Sequence, residues 1–582
     1  MQDNKSHNFL CVHAECVSAA RESYICGSFW WHLMHVAIVW LCSFDLGKRV
    51  DVLEAGRRLL PSGLAEALLT YDVDGEPQIE PREMSREDSL LFRMGREDKT
   101  LLLEEYRKSG RIARLKLKGF TARVLDIDSE VEVYLTIHRT GFAVLSFWLF
   151  VDRELELSDI IKIEDPSTPI QITNLWPGLL QHLEKLKIPE ALALKKTNVD
   201  KVPLVVIRNL YIGYVQSTVL SVGSFEELLK KLRYPYFGIT PVVGIFDVNG
   251  SEEFVQDHLK ELHGIIANEE WWDWVQDYWV KRDLGRNLAY REGWHVYIGS
   301  NGALIIVSKE ANNRLREILK KRLLNNIPII ITGFQPPTGP FILMLNREKI
   351  AEEELEKVWP LQLRSLMLDL VVVLENLVLQ EIMLRTFDYV LGQGLPKSIK
   401  ELVDLKEEIL NTLDEFLNVR IWSRATAREW TEYGKKRMGI DELYLSIRRR
   451  LGIIESRIRT EFEATINIMS ILLALLMIYM QVIPLAPTYI PQLAAHLFGV
   501  IVLISMLIVS KPAWTWLARS LWGLIKKIFE VFKLRVKLFL RYMLLMYSPR
   551  AEKGIRGVQN TLQLCGGKRS RERAHCRRGS SS

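Results

Sequence analysis

Between residues 464 and 510 the chain carries no Asp, Glu, Lys or Arg, and Pro484, Pro487 and Pro491 interrupt this apolar run near its middle. One bilayer crossing takes about 20 apolar residues, so the pattern predicts a membrane hairpin with crossings over 466–483 and 493–509. The alternative is a central helix of a large soluble domain. The flanks argue against it: Arg448, Arg449, Arg450, Arg457 and Arg459 precede the run, Lys511, Arg519, Lys526 and Lys527 follow it, and the loop 485–492 has no basic residue. The positive-inside rule then places the loop outside and both flanks in the cytoplasm, giving a multi-pass protein of the cell membrane with a cytoplasmic N-terminal domain and C-terminus.

Upstream, over 50–347, apolar spacing changes between periods two and 3.6. Alternation over 114–125, 131–138 and 142–151, with an Arg139-Thr140-Gly141 turn, predicts adjacent strands. A second hairpin is predicted over 294–307, where Asn301-Gly302 suits a type I′ turn. Further strands are expected at 329–332 and 340–345, and helices at 225–232, 252–267 and 313–323. This is a cytoplasmic α+β or α/β region, which a boundary near 195–201 would divide into two subdomains.

From 348 to 463 the pattern is almost continuously helical and predicts a stalk. Its last helix starts near Asp441 and meets no proline before the membrane. Ile440, Tyr444, Ile447, Leu451, Ile454 and Ile458 alternate four- and three-residue steps along it, a coiled-coil seam that can pair subunits or pack within the chain. Beyond the hairpin, Lys526, Glu530, Lys533, Lys537 and Arg541 share one helical face over 511–549. A helix with that narrow, mainly cationic face belongs on the inner membrane surface against anionic head groups. The tail 550–582 is basic and reads as disordered.

Residues 1–49 are harder to place. The stretch 27–44 is uncharged and holds Trp30, Trp31 and Trp40, and it reads as an extra membrane segment, an interfacial one, or sequence outside the true reading frame. All six cysteines lie toward the ends, at 11, 16, 26, 42, 565 and 576. A cysteine-free body rich in Glu, Lys, Arg, Ile and Leu resembles a thermophile's cytoplasmic protein more than a disulfide framework. The net charge of +6 is concentrated past Lys511, which points to lipid rather than nucleic acid.

Motifs for catalysis are missing: there is no phosphate-binding Gly-rich loop with Lys, no His-Glu-x-x-His and no Gly-x-Ser-x-Gly, so no enzyme is predicted. Asp72-Val73-Asp74-Gly75 and Asp247-Val248-Asn249-Gly250 read as turns, and Gly392-Gln393-Gly394 as a helix stop. On a helix, Glu270, Asp273 and Asp277 would share a face and offer oxygens to Mg²⁺ or Ca²⁺; the plainer alternative is a solvated acidic face with its tryptophans packed beneath. Within the first crossing, Asn467, Ser470, Ala474, Met477 and Gln481 follow three-four spacing. In lipid, Asn and Gln need a partner helix or water, so this stripe lines a pore or joins helices.

In layout the chain resembles the CorA family of divalent-cation channels, which have a cytoplasmic α/β domain, a long last helix becoming the first crossing, a short external loop and a second crossing. The family's Tyr-Gly-Met-Asn corresponds here to Ile478-Tyr479-Met480-Gln481, and its loop to Tyr489-Ile490-Pro491-Gln492-Leu493. The resemblance implies a homo-oligomeric channel with Mg²⁺ or a similar cation as permeant ion and no resident cofactor. The glycine and asparagine of the motif are absent, which puts cation selection in question. The alternative is a membrane-tethered cytoplasmic binding or scaffold protein without transport.

Overall fold

The computed structural model describes residues 35–324 and 347–482, apart from 73–74, 81–89, 109, 125–126, 152–154, 198–200, 236, 269–270, 394–395, 397–398 and 417–420, together with 496–497 and 499–500. The predicted strands at 329–332 and 340–345, the second crossing, the helix 511–549 and the tail 550–582 lie outside or almost wholly outside them. The chain divides at 455/456 into two units.

The first unit is built on an eleven-stranded sheet in which β1 (His35–Asp45) is an interior strand, paired on both edges. This corrects the reading of 27–44 as an added membrane segment, since its second half is β-structure. Val36–Leu46 is almost entirely apolar because both faces of β1 are covered. A strand buried on two sides shows no alternation and cannot be told by period from a short membrane or core segment.

Helix α1 (Val52–Leu59), capped by Asp51, precedes β2 (Ala65–Tyr71) and β3 (Pro77–Glu80). Helices α2 (Leu90–Leu101) and α3 (Glu104–Lys108) lead to an antiparallel meander of β4 (Ile112–Val124), β5 (Ile127–His138) and β6 (Phe142–Val151), as predicted. Gly141 turns the β5–β6 hairpin at φ +86°, where the Lys48 carbonyl leaves no room for a Cβ.

Then come α4 (Leu157–Glu164), β7 (Pro169–Ile172), α5 (Pro177–Lys185), α6 (Pro189–Thr197), β8 (Lys201–Pro203) and α7 (Leu204–Leu220). The expected boundary at 195–201 is therefore interior to the unit: β8 pairs with β7, which pairs with the end of β4. After α8 (Phe225–Lys231), β9 (Thr240–Val248) joins the other side of β1. The predicted helix 252–267 is two, α9 (Ser251–Asp257) and α10 (Leu259–Ala267), parted at His258. A 3₁₀ turn (Trp272–Trp274) and α11 (Asp277–Leu284) precede the hairpin β10 (Trp294–Ile298) and β11 (Ala303–Ser308). That hairpin is where expected, but neither Asn301 nor Gly302 has positive φ and the turn closes with Gly299 N–H on the Gly302 carbonyl at 2.9 Å, so it is not type I′.

Strand order is β10-β11-β9-β1-β6-β5-β4-β2-β3, with only β9 and β11 parallel. After α12 (Lys309–Leu324), the 46-residue α13 (Arg347–Gly392) lays its second half across β1, β6 and β9, Met367 standing against Gly244. It is followed by α14 (Ile399–Phe416), α15 (Ala425–Arg437) and α16 (Ile440–Val482). The predicted stalk is thus largely a layer of the domain: Leu366–Leu391 is core. Helix α7 covers the opposite face, completing three layers.

Candidate membrane segment and polar centres

Helix α16 has two different halves. Along its first turns Ile440, Ile447, Leu451 and Ile454 are buried inside the first unit. Arg450 bonds the Asp388 carbonyl at 3.1 Å and its carboxylate at 3.4 Å, and Lys406 pairs with Glu455 at 3.3 Å. The heptad seam is therefore occupied by the chain's own helices, the second of the two readings it allowed, and is not free to pair subunits there.

Past residue 455 the same helix becomes apolar, with an 18-residue window of mean hydropathy 1.7, none of which is buried. Among the described residues it is the one helix long and apolar enough to cross a membrane; the predicted partner crossing is not among them. Asn467, Ser470, Ala474, Met477 and Gln481 are all exposed. Ser470 donates to the Ile466 carbonyl at 2.9 Å within its own helix, whereas Asn467 and Gln481 bond to none of the described residues. Tyr479 and Met480 continue the helix to Gln481.

The acidic trio does not form a site. Glu270 lies outside the described residues, Asp273 sits in the 3₁₀ turn and Asp277 opens α11, so no single helix carries them. Asp277 pairs with Lys260 at 3.6 Å, and no group of three metal-capable side chains occurs among the described residues. The expected burial of the tryptophans also fails, since Trp271 and Trp274 are 62% and 78% exposed.

Sequence reading missed the buried polar centre beneath α13. Asp98 on α2 accepts two hydrogen bonds from Arg114 on β4, at 2.8 and 2.9 Å, and one from the Tyr71 hydroxyl. Arg114 also bonds Thr136 at 2.7 Å and the Glu375 carboxylate of α13. Beside it Glu97 meets Asp369, which pairs with Arg424 at 3.2 Å. Burial, then the Asp369 carboxylate, pushes Glu97 up to about 9. Such clusters join strand, α2 and α13 in one register, because removing one member strands the others in low dielectric. No spacing rule brings residues 98, 114 and 375 together, so the sequence held no local signal for them.

A second polar centre closes the far end of β1. Fully buried Asp45 accepts from the Arg233 backbone N–H at 2.8 Å and its guanidinium at 2.6 and 3.1 Å; Arg233 covers the Phe142 ring at 4.6 Å and reaches Glu408 at 2.8 Å. Glu415 takes Arg139 at 2.9 Å and also Arg49. Elsewhere, Glu164 is buried with neither carboxylate oxygen hydrogen-bonded, and burial holds its carboxyl well above the usual range. A cavity of about 260 Å³ is lined by Arg123, Lys162 and Lys201 with Thr168, Gln171 and apolar neighbours; Arg123 and Lys162 are already paired with Asp128 and Asp159.

No family model, curated protein or solved structure matches this chain.

Proposed function

We propose that this chain is an integral membrane protein in which α16 tethers a cytoplasmic three-layer α/β domain to the bilayer, and that the domain acts as a binding or scaffold module whose copies associate in the membrane. One observation carries the reading: half of α16 is spent as domain core, while the other half is apolar and has no buried residue in its apolar window. Water is a poor solvent for such a surface and lipid a good one. Within lipid, unpartnered Asn467 and Gln481 are costly, and bonding to a second helix relieves each by roughly 0.6–2 kcal/mol.

The test is alkaline extraction of membranes followed by the mass of the detergent-purified protein with detergent subtracted. The proposal expects retention in the membrane and a defined oligomer that Asn467→Leu with Gln481→Leu dissociates. Release into the soluble fraction, or a monomer in both forms, overturns it. A CorA-like channel is the second reading, favoured by the shared exposed face of Asn467, Ser470 and Gln481. It requires a ring-sized oligomer and Mg²⁺ or Co²⁺ flux that the same double substitution alters.

A further inference from the structure

Residues 271–286 form an ordered strip on the first unit with two unlike faces. Val280 and Leu284 are buried, and half-buried Trp272 and Val275 pack against the core, Trp272 beside Gly264. Lys260 holds the Asp273 carbonyl at 3.4 Å and the Asp277 carboxylate at 3.6 Å, and Arg437 holds the Arg282 carbonyl at 3.3 Å. The outward face is thereby fixed, and it is aromatic. Trp271, Trp274, Tyr278 and Trp279 are 62%, 78%, 69% and 43% exposed. Trp271 and Trp274 meet edge to face at 6.0 Å, Tyr278 and Trp279 at 5.6 Å, and Arg282 covers Trp279 at 3.7 Å.

We infer that this strip is a two-fold contact between the soluble domains of two copies of this chain. Three features select a second copy. Trp, Tyr and Arg are the side chains that anchor protein interfaces. The exposed parts of the four rings come to on the order of 500 Å², taking roughly 150–250 Å² for each whole side chain; with the flanking charges this approaches the ~800 Å² per partner of a standard interface. Charge is also distributed self-complementarily. The exposed acids Asp273 and Asp277, the latter shared with Lys260, lie in the first half of the strip; Lys281, Arg282 and Arg286 lie in the second with the half-buried Asp283, leaving that half net positive. A two-fold axis sets residue i of one copy against j of the other and j against i, so the acidic half of one copy, with its interleaved aromatics, meets the other copy's basic half. Arg282 and Arg286 have partners within the chain, Asp283 at 3.2 Å and Glu429 at 2.7 Å, and Lys281 has none among the described residues. This contact is separate from any association through α16 and does not rest on the membrane reading.

The experiment uses the full chain, carrying Cys11→Ser, Cys16→Ser, Cys26→Ser, Cys565→Ser and Cys576→Ser and keeping buried Cys42. Single Trp271→Cys, Trp274→Cys, Tyr278→Cys and Trp279→Cys variants are oxidised at low protein concentration, and covalent dimers are read on a non-reducing gel. The expected result is dimer from at least one position. Asp277→Lys or Lys281→Asp alone should lower its yield several-fold, and the two together should restore it. Absence of dimer at all four positions overturns the proposal, as does a yield that ignores both charge reversals. Positions shielded from a water-soluble maleimide only when vesicles of anionic lipid are added, and forming no dimer, would reassign the strip to a lipid surface and equally overturn it.

Discussion

Helix α7 and the distal half of α16 are alike in sequence and opposite in circumstance. Both are long, apolar and interrupted by a few polar side chains. In α7 most residues are buried, and its larger polar groups have internal partners: Gln216 donates to the Asp45 carbonyl at 2.7 Å, the Tyr211 hydroxyl to the Lys118 carbonyl at 2.6 Å and the Tyr214 hydroxyl to the Ser62 carbonyl at 2.9 Å, while the small Thr218 hydroxyl is buried without one. In α16 the apolar window is uncovered, and Asn467 and Gln481 have no partner among the described residues. Hydropathy states only that a segment must leave water. Whether protein or lipid receives it is decided by what the rest of the chain places around it, and there the polar side chains are the more informative witnesses.

That contrast can be broken most directly by cavity formation. Leu210→Ala in α7 should cost about 2–5 kcal/mol of domain stability, seen as a lowered denaturation midpoint of the detergent-purified chain. Ile471→Ala in α16 should leave the midpoint within about 0.5 kcal/mol; equal losses at both sites would show that α16 is covered after all. Next in size, Ile471→Arg should disfavour membrane insertion by roughly 2.5–3.5 kcal/mol, read as the share of protein released by alkaline extraction. An unchanged share would remove lipid as the solvent of this half.

A third effect concerns how the interior treats a charge it cannot solvate. The folded chain keeps Glu97 protonated up to about 9, while the unfolded chain releases that proton near 4.5. The stability contributed there is complete below the lower value, falls as pH rises between the two and levels off above the higher. Glu97→Gln should therefore flatten the decline, with its advantage over the natural chain growing from pH 4.5 towards pH 9 in thermal denaturation. Parallel pH profiles for the two proteins would refute the assignment.

Local pattern made much of the scaffold legible. The β4–β5–β6 meander, the β10–β11 hairpin, α8, α12 and the turn after Asp72 all follow from alternation, helical period or turn residues, and the turn is closed by Gly75 N–H on the Asp72 carbonyl at 3.0 Å. Long-range features were not legible. The interior strand β1 hid because both its faces are apolar. Helix α13 looked like a stalk because its apolar positions wind round the helix, which is what a layer wedged between sheet and outer helices requires. The exposed aromatic strip was noticed as sequence but assigned inward, since Trp is usually buried and only the tertiary position of Trp272 shows which ring occupies the inside. The candidate span was plain from composition, while the Asp98–Arg114–Glu375 centre needed the fold.

The position of β1 also shapes how the molecule is made. Its two partners, β6 and β9, lie more than 100 and about 200 residues later in the chain. At synthesis rates of about 5–20 residues per second, roughly 10–40 seconds separate the emergence of β1 from that of β9. Until β6 emerges an eleven-residue strand, apolar on both sides, has no native partner, and one of its edges stays open until β9 follows. Pairing at such sequence separation is slow and exposed to aggregation, so the nascent chain is a natural client for chaperones that shield extended apolar segments, and its demand should ease abruptly once residue 248 has cleared the ribosome.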